Sequence, residues 1–88
     1  MKFKAIIEVR LRKDHLDPEA ETVKKALFDL NFQVSQVKMS RIYEIVLEAS
    51  SKKEAEVVAK TMCSRLLVNP TKDDYSLEVE PIGAAAKP

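Results

Sequence analysis

The 88-residue sequence has very few of the residues from which covalent cross-links and metal sites are built. It contains one cysteine, Cys63, and one histidine, His15. A lone cysteine excludes an internal disulfide, and one Cys with one His falls short of the roughly four ligands of a structural zinc site. The only glycine is Gly83, so the sequence has no glycine loop that could cradle a phosphate.

Long apolar runs are missing as well. No stretch approaches the ~20 apolar residues of a membrane span, and Lys2 and Lys4 come too early for the apolar part of a signal peptide. A single unpaired thiol fits a reducing compartment. We therefore expect a cytoplasmic protein with no membrane partner.

Neither sign of charge dominates the composition. The 15 Lys and Arg residues are balanced by 14 Asp and Glu, which does not favour a protein built mainly to neutralise phosphates. At this length we expect a single domain over residues 1–80 and a flexible tail over 81–88. A domain of this size buries only about 60% of its unfolded surface, so oligomerisation would help to stabilise it.

The first half of the chain predicts three strands and a helix. Residues 2–12 alternate with period two, which is typical of a strand with one buried face. Asp17-Pro18 is a typical helix start, and Asn31 is a typical left-handed end. Residues 33–49 then predict two strands, joined by a turn at Ser40-Arg41.

The second half predicts a helix, a sharp junction and a last strand. The sequence SKKE at 51–54 is a capping-box pattern that opens a helix running to about Leu67. Asn69-Pro70 ends this helix, because the residue before a proline avoids the helical region. Residues 75–80 alternate again and predict the final strand.

This order, β-α-β-β-α-β, predicts an α+β sandwich of ferredoxin-like layout, with two helices on one face of an antiparallel sheet. An open sheet leaves two unpaired edges. We therefore expect a dimer formed through the sheet edges or the last strands.

No catalytic constellation is visible. His15 lies in a predicted loop among aspartates and is interpreted as a solvated side chain, and Cys63 borders an apolar helix face as a structural thiol. Asp73-Asp74 lacks the ligand spacing of a calcium loop. The sequence thus predicts no catalytic, cofactor or metal site in this chain.

Two other functional classes share the predicted topology. An RNA-recognition module stacks bases on aromatic rings of its central strands, but here the outward face of the first strand has basic residues and Ile6, and Tyr43 is assigned to the core face. A small-ligand regulatory domain usually brings a glycine-containing loop to its ligand. Both stay open as alternatives, although nucleic acid is disfavoured.

Two stretches carry a resemblance to a known family: LDPEAETVKKALFDL at 16–30 and MCSRLLVNPTKDDYSLEVE at 62–80. They resemble the PurS family, the small subunits of phosphoribosylformylglycinamidine (FGAM) synthase, and the resemblance covers about residues 2–80. Ser40 stands where the family usually has glycine. The matching positions are Leu16, Asp17, Pro18, Cys63, Leu66, Leu67, Asn69, Pro70, Asp74 and Tyr75.

The resemblance implies a non-catalytic subunit of a ligase complex in de novo purine biosynthesis. Such a subunit bridges the glutaminase PurQ and the large synthetase PurL and assists ammonia transfer. The complex converts formylglycinamide ribonucleotide to formylglycinamidine ribonucleotide at the expense of ATP and glutamine. The resemblance also implies that ATP and Mg²⁺ are bound by the large subunit, that this chain binds no cofactor, and that it forms a homodimer or a higher oligomer.

Two sets of residues are the candidate sites. The charged surface near the middle strands supplies a candidate partner interface: Arg10, Arg12, Arg41, Tyr43 and Glu44. The junction and the last strand supply candidate dimer residues: Asn69, Pro70, Tyr75, Leu77 and Val79.

Overall fold

A computed structural model describes residues 1–82 of the chain. Its elements confirm the α+β class: strand β1 Lys2–Leu11, helix α1 Pro18–Asp29, strand β2 Ser40–Glu48, helix α2 Lys52–Met62, the π-helical turn Cys63–Leu67 and strand β3 Asp73–Ile82. No helix in this part of the chain is long and apolar enough to cross a membrane.

The three strands form an antiparallel sheet in the order β2-β1-β3. β1 is central because it alone pairs on both sides, and its alternation sorts the side chains between two faces. Phe3, Ala5, Ile7 and Val9 are all buried on the face that meets α2. The sheet face on the other side, called the open face below, has no helix packed on it within residues 1–82.

Helix α2 approaches the sheet closely because small residues line the contact. Ala55 and Ala59 are fully buried, as is Ala5 beneath them in the same cluster. Within residues 1–82, the largest fully buried side chains are Phe3, Ile7 and Cys63. The core is therefore thin, which suits the prediction that the chain is stabilised by association.

Both helix starts and the end of α1 follow the predicted signals. The Oδ1 atom of Asp17 accepts hydrogen bonds from the backbone N–H of Glu19 and of Ala20, at 2.9 and 3.3 Å. Ser51 Oγ accepts from the N–H of Glu54 at 3.1 Å. Asn31 has φ of 73°, the left-handed conformation that an asparagine tolerates at a helix end.

The predicted strand over 33–39 is wrong. These residues form no strand, and β2 begins directly at Ser40, so Ser40-Arg41 is not a turn. A strand needs a neighbour with which to form hydrogen bonds. Both edges of β1 are already paired, and among the described strands β2 pairs only with β1, so residues 33–39 have no neighbouring strand. Ser40 instead donates its hydroxyl to Glu8 Oε2 at 2.7 Å, next to its register partner Arg10.

The expected pair of helices on one sheet face is only half present in the protomer. α2 packs on β1 and β3, whereas α1 makes no comparable contact with any strand in residues 1–82. The Cα radius of gyration is 17.1 Å, against about 12 Å for a compact chain of this length. α1 thus lies away from the sheet of its own protomer.

The last strand runs past residue 80, the predicted boundary between the domain and its tail. β3 continues through Pro81 to Ile82, with Ile82 in register with Lys2. A proline is tolerated there because β3 is an edge strand. The rest of the predicted tail, 83–88, lies outside the described residues.

Candidate partner-binding surfaces

The Asn69-Pro70 junction is a tightly hydrogen-bonded turn between the π-helical turn and β3. Asn69 Oδ1 accepts from the N–H of Thr71 at 2.9 Å, and the Asn69 carbonyl accepts from Asp73 N–H at 2.8 Å. In return, the N–H of Asn69 donates to Asp73 Oδ2 at 2.9 Å. The junction therefore fixes the direction in which β3 leaves the helix.

Arg12 holds this junction from the end of β1. Its Nη2 donates to the Pro70 carbonyl at 2.7 Å, and its Nε donates to the Asp73 carbonyl at 3.4 Å. The same Nε lies 3.6 Å from Asp74 Oδ1. Arg12 is predicted as a partner contact. In the structure it instead makes an internal link to residues that lie 58 and 61 positions further along the chain.

A π-helical turn over Cys63–Leu67 leads into the junction, and no pattern in the sequence predicts it. The Val68 N–H donates to the Cys63 carbonyl at 3.0 Å, which is the i to i+5 bond of a π-helix. The extra residue turns Leu66 outwards, where it is 82% exposed, while Cys63 stays fully buried. Single π turns of this kind are frequent at functional sites.

The candidate residues of β2 are divided between the two faces of the sheet. Arg41 and Tyr43 are in register with Val9 and Ile7, so they lie on the helix-packed face, where Arg41 is exposed and Tyr43 is half-buried. Glu44 lies on the open face. The predicted cluster of five is therefore not one surface.

Arg10, near the end of β1, is exposed at the surface. Its side chain is 44% exposed and has Glu8 as an ion-pair partner at 3.7 Å. It borders the same cleft as Ser40 and Asp74, at the end of the sheet from which α1 begins. Arg10 and Arg41 thus remain as candidate partner contacts on opposite faces.

The predicted dimer residues of β3 fall into two groups. Val79 is buried and Leu77 is half-buried, both packed in the protomer's own core. Tyr75, at 39% exposure, is accessible, as are Asn69 and Pro70. What β3 offers a second chain is its outer backbone edge, because β1 occupies only the inner one.

The open face of the sheet is charged and has no aromatic ring within residues 1–82. Register places Ile6, Ile42 and Val46 at its centre, with Ile42 at 62% and Val46 at 57% exposure. More acidic than basic residues surround them: Glu8, Glu44, Glu48, Asp74, Glu78 and Glu80 against Lys2, Lys4 and Arg10. Such a face lacks both the stacking rings and the positive field of an RNA platform.

The groups with reactive chemistry are isolated from one another. Burial raises the pKa of the Cys63 thiol, which packs with Ile7 and Val9 in the apolar core. His15 Nδ1 lies 3.2 Å from Asp14 Oδ1 in an exposed loop. Within residues 1–82, no group of three or more Asp, Glu, His or Cys could hold a metal ion.

An apolar groove lies between α2 and β2, and it is not among the sites predicted from the sequence. Its floor includes Ile45 of β2, and its wall is formed by exposed residues of α2 and the π-helical turn. A signal was present, since Val57 and Val58 together make α2 apolar over more than one face. The lining residues are Ile45, Val57, Val58, Thr61, Met62, Arg65, Leu66 and Leu67.

Comparison with known proteins decides the family. The family model described as PurS, phosphoribosylformylglycinamidine (FGAM) synthase, matches residues 4–81. The chain belongs to the PurS family. This match confirms the resemblance seen in the sequence. It also confirms the expectation that the chain belongs among the subunits of FGAM synthase.

Relatives and solved structures agree over nearly the whole chain. The FGAM synthase subunit PurS of Methanocaldococcus jannaschii is 33% identical, over 91% of this chain and 98% of the relative. The crystal structure of M. jannaschii PurS gives a TM-score of 0.82 at 32% identity, covering 92% of this chain and 99% of that one. A chain in the PurLQS structure from Thermotoga maritima gives 0.83 at 28% identity, covering 91% and 99%.

Proposed function

We propose that this PurS-family chain is the non-catalytic subunit that bridges a PurQ glutaminase and a PurL synthetase and assists ammonia transfer between them. The observation that carries the proposal is the likeness to a chain of the PurLQS structure, of which 99% is covered. The positions of Cys63 and His15 support the non-catalytic part, because Cys63 is buried in the apolar core whereas His15 lies in an exposed loop, and an activated thiol needs a base beside it.

The proposed contribution of the chain is proximity. If two active sites are held in register, ammonia released at one is used at the other before it is lost to bulk water, which is an effective-concentration effect. The chemistry then belongs to the partners, with ATP and Mg²⁺ bound by the synthetase. The assembly is placed in the cytoplasm, where the Cys63 thiol would stay reduced.

The chain is proposed to act as a homodimer. A compact monomer of this length exposes about 5,200 Å², whereas this chain exposes 6805 Å². Even complete exposure of the six residues beyond Ile82 would leave an excess of roughly 1,000 Å² in the described part. A standard interface buries about 800 Å² per partner, so the excess is of the size that one dimer contact removes.

Arg10 and Arg41 are the proposed contacts to the partner subunits, because both are exposed and neither is used in the junction. Arg12 is left out, since its guanidinium is engaged inside the protomer. The Arg41 side chain shares a face with α2, and Arg10 lies on the open face. Partners on opposite faces would suit a bridging subunit.

The deciding experiment compares two ammonia sources. Purified PurL and PurQ are assayed for FGAM synthesis with glutamine or with ammonium chloride, with and without this chain. We expect the chain to restore the glutamine-dependent rate and leave the ammonia-dependent rate unchanged. Full glutamine-dependent activity without the chain would refute the bridging role. If the Arg41→Glu variant assembled fully with PurL and PurQ, Arg41 would not be a contact to them.

A further inference from the structure

The open face of the sheet has an exposed apolar centre. Ile6 of β1 lies in its middle row, and Ile42 and Val46 of β2 stand diagonally on either side of Ile6. Diagonal neighbours on antiparallel strands are about 7–8 Å apart, so the three side chains form one strip. Ile42 is 62% exposed and Val46 is 57% exposed. Exposed apolar residues that are grouped together and rimmed by polar ones are typical of an interaction site.

The charge around this strip is negative in the middle of the face. Glu44 and Glu78 are the two register partners of Ile6, so a carboxylate lies on each side of it. Both glutamates are exposed, and neither has an ion-pair partner within residues 1–82. At the end of the face, by contrast, Glu48 has the Met1 amino group 3.5 Å away. The charged residues of the three middle rows are Glu8, Glu44, Glu78 and Glu80, with Lys4 alone on the basic side.

The dimensions of the open face fit a single helix. Three strands at about 4.8 Å spacing make the face roughly 15 Å wide, and the paired length of β1 makes it roughly 30 Å long. A helix with its side chains is about 10–12 Å across, and about 20 residues of helix span 30 Å. The other face of the same sheet already packs a helix, since α2 lies on β1 and β3.

We propose that the open face docks one amphipathic helix of a partner subunit, whose apolar stripe is flanked by Lys and Arg. The proposal rests on the proposed bridging function and names the chemistry of one of its contacts. Apolar residues of the helix cover the strip around Ile6, and its basic residues pair with Glu44 and Glu78. Arg10 borders this site from the end row. A second copy does not fit face to face, because the same carboxylates would meet each other.

Charge reversal in the middle of the face tests the proposal. The full chain with Glu44→Lys and Glu78→Lys is compared with the wild type for binding to purified PurL, to purified PurQ and to both together. The matched control, Asp14→Lys with Asp29→Lys, makes the same change in net charge at exposed positions outside the sheet. Light scattering and urea unfolding monitor the assembly and stability of each variant. If reversal unfolds the chain, the neutral pair Glu44→Gln with Glu78→Gln decides in its place.

We expect the reversal to weaken binding to one subunit at least about tenfold, and the control to stay within about twofold of the wild type. Added salt should weaken the wild-type complex more than that of the reversal variant, because salt screens exposed charges. Ile42→Ser with Val46→Ser should weaken the same complex, because the apolar centre is lost. Hydrogen exchange should reveal a helix of that subunit that the wild-type chain protects and the reversal variant does not, with Lys or Arg on both sides of an apolar stripe.

Three results would overturn the docking site and leave the bridging role standing. The first is unchanged binding of the reversal variant to PurL, to PurQ and to both together. The second is protection of a strand, a loop or a helix without flanking basic residues. The third is loss of self-association in light scattering with binding to the subunits intact, which would assign the face to a second copy. If the wild-type chain binds the subunits neither singly nor together, the docking site and the bridging role fail together, and the two-source assay of synthase activity checks the bridging role independently.

Discussion

Replacing Arg12 with alanine should lower the free energy of unfolding, because the Arg12 side chain is bound within its own protomer. The substitution removes the hydrogen bonds to the Pro70 and Asp73 carbonyls, at 2.7 and 3.4 Å, and the neighbouring charge of Asp74. Hydrogen bonds from charged donors contribute about 1.5–3 kcal/mol each when well formed. Because the side chain is 46% exposed and one bond is long, we expect a loss of about 1–2 kcal/mol in the free energy of unfolding.

Urea and thermal unfolding at one fixed protomer concentration would measure this loss, since association would otherwise shift the midpoint. For a domain of this size the melting temperature should fall by roughly 4–16 °C. Arg12→Lys should recover only part of the loss, because an ammonium group does not reproduce the fork that reaches two carbonyls. Arg10→Ala is the matched control, since Arg10 has only a 3.7 Å ion pair with Glu8.

A second measurement locates the effect. Amide hydrogen exchange of Asp73, whose N–H donates to the Asn69 carbonyl, should accelerate in Arg12→Ala and not in Arg10→Ala. If Arg12→Ala lost less than about 0.5 kcal/mol, the range of an ordinary surface substitution, the junction would not depend on Arg12. Such a result would refute the internal role and return Arg12 to the partner interface.

Two further predictions concern titratable groups. Cys63 is fully buried, and burial raises its pKa. Iodoacetamide at pH 8 should therefore label it at least roughly 100-fold more slowly in the folded chain than in urea. Equal labelling rates would refute the burial of Cys63. The pKa of Glu54 is lowered from 4.5 by hydrogen bonds from the Ser50 N–H and hydroxyl. The stability it adds is present above pH 4.5 and is lost as pH falls below it, so the deficit of Glu54→Gln in urea should vanish in acid. A deficit of the same size at pH 3 and at pH 7 would refute this role of Glu54.

Features determined within a few residues could be predicted from the sequence. The alternation of β1, the cap at Asp17, the cap at Ser51 and the stop at Asn69-Pro70 are all where the residues indicate. Each depends on the chemistry of neighbouring residues, such as a side-chain oxygen that reaches an N–H three positions on.

Features that depend on distant or external partners could not be predicted in the same way. The apolar residues of 33–39 suit a strand, but a strand needs a neighbour, and none is present in residues 1–82. The pattern of α1 shows that one face is apolar without showing which chain covers it. Arg12 looks like any exposed cation in sequence, because its acceptors lie 58 or more residues away.

The positions of the candidate interface residues relative to one another could be predicted from the sequence only in part. Alternation within β2 already places Tyr43 and Glu44 on opposite faces, so their separation could have been read from the sequence. The π-helical turn has no comparable local signature, and it decides that Leu66 points outwards beside the groove. The exposed position of Leu66 therefore could not be predicted from the sequence.

The central position of β1 has a consequence for how the chain is made. β1 is synthesised first, yet its last described partner, Ile82, is the end of β3. At a synthesis rate of about 5–20 residues per second, the completed β1 waits roughly 4–14 s for that strand. Its apolar face is exposed meanwhile, but Lys2 and Lys4 alternate with it. Charges that flank a hydrophobic strand oppose pairing with other nascent chains, so these lysines protect a strand whose partners do not yet exist.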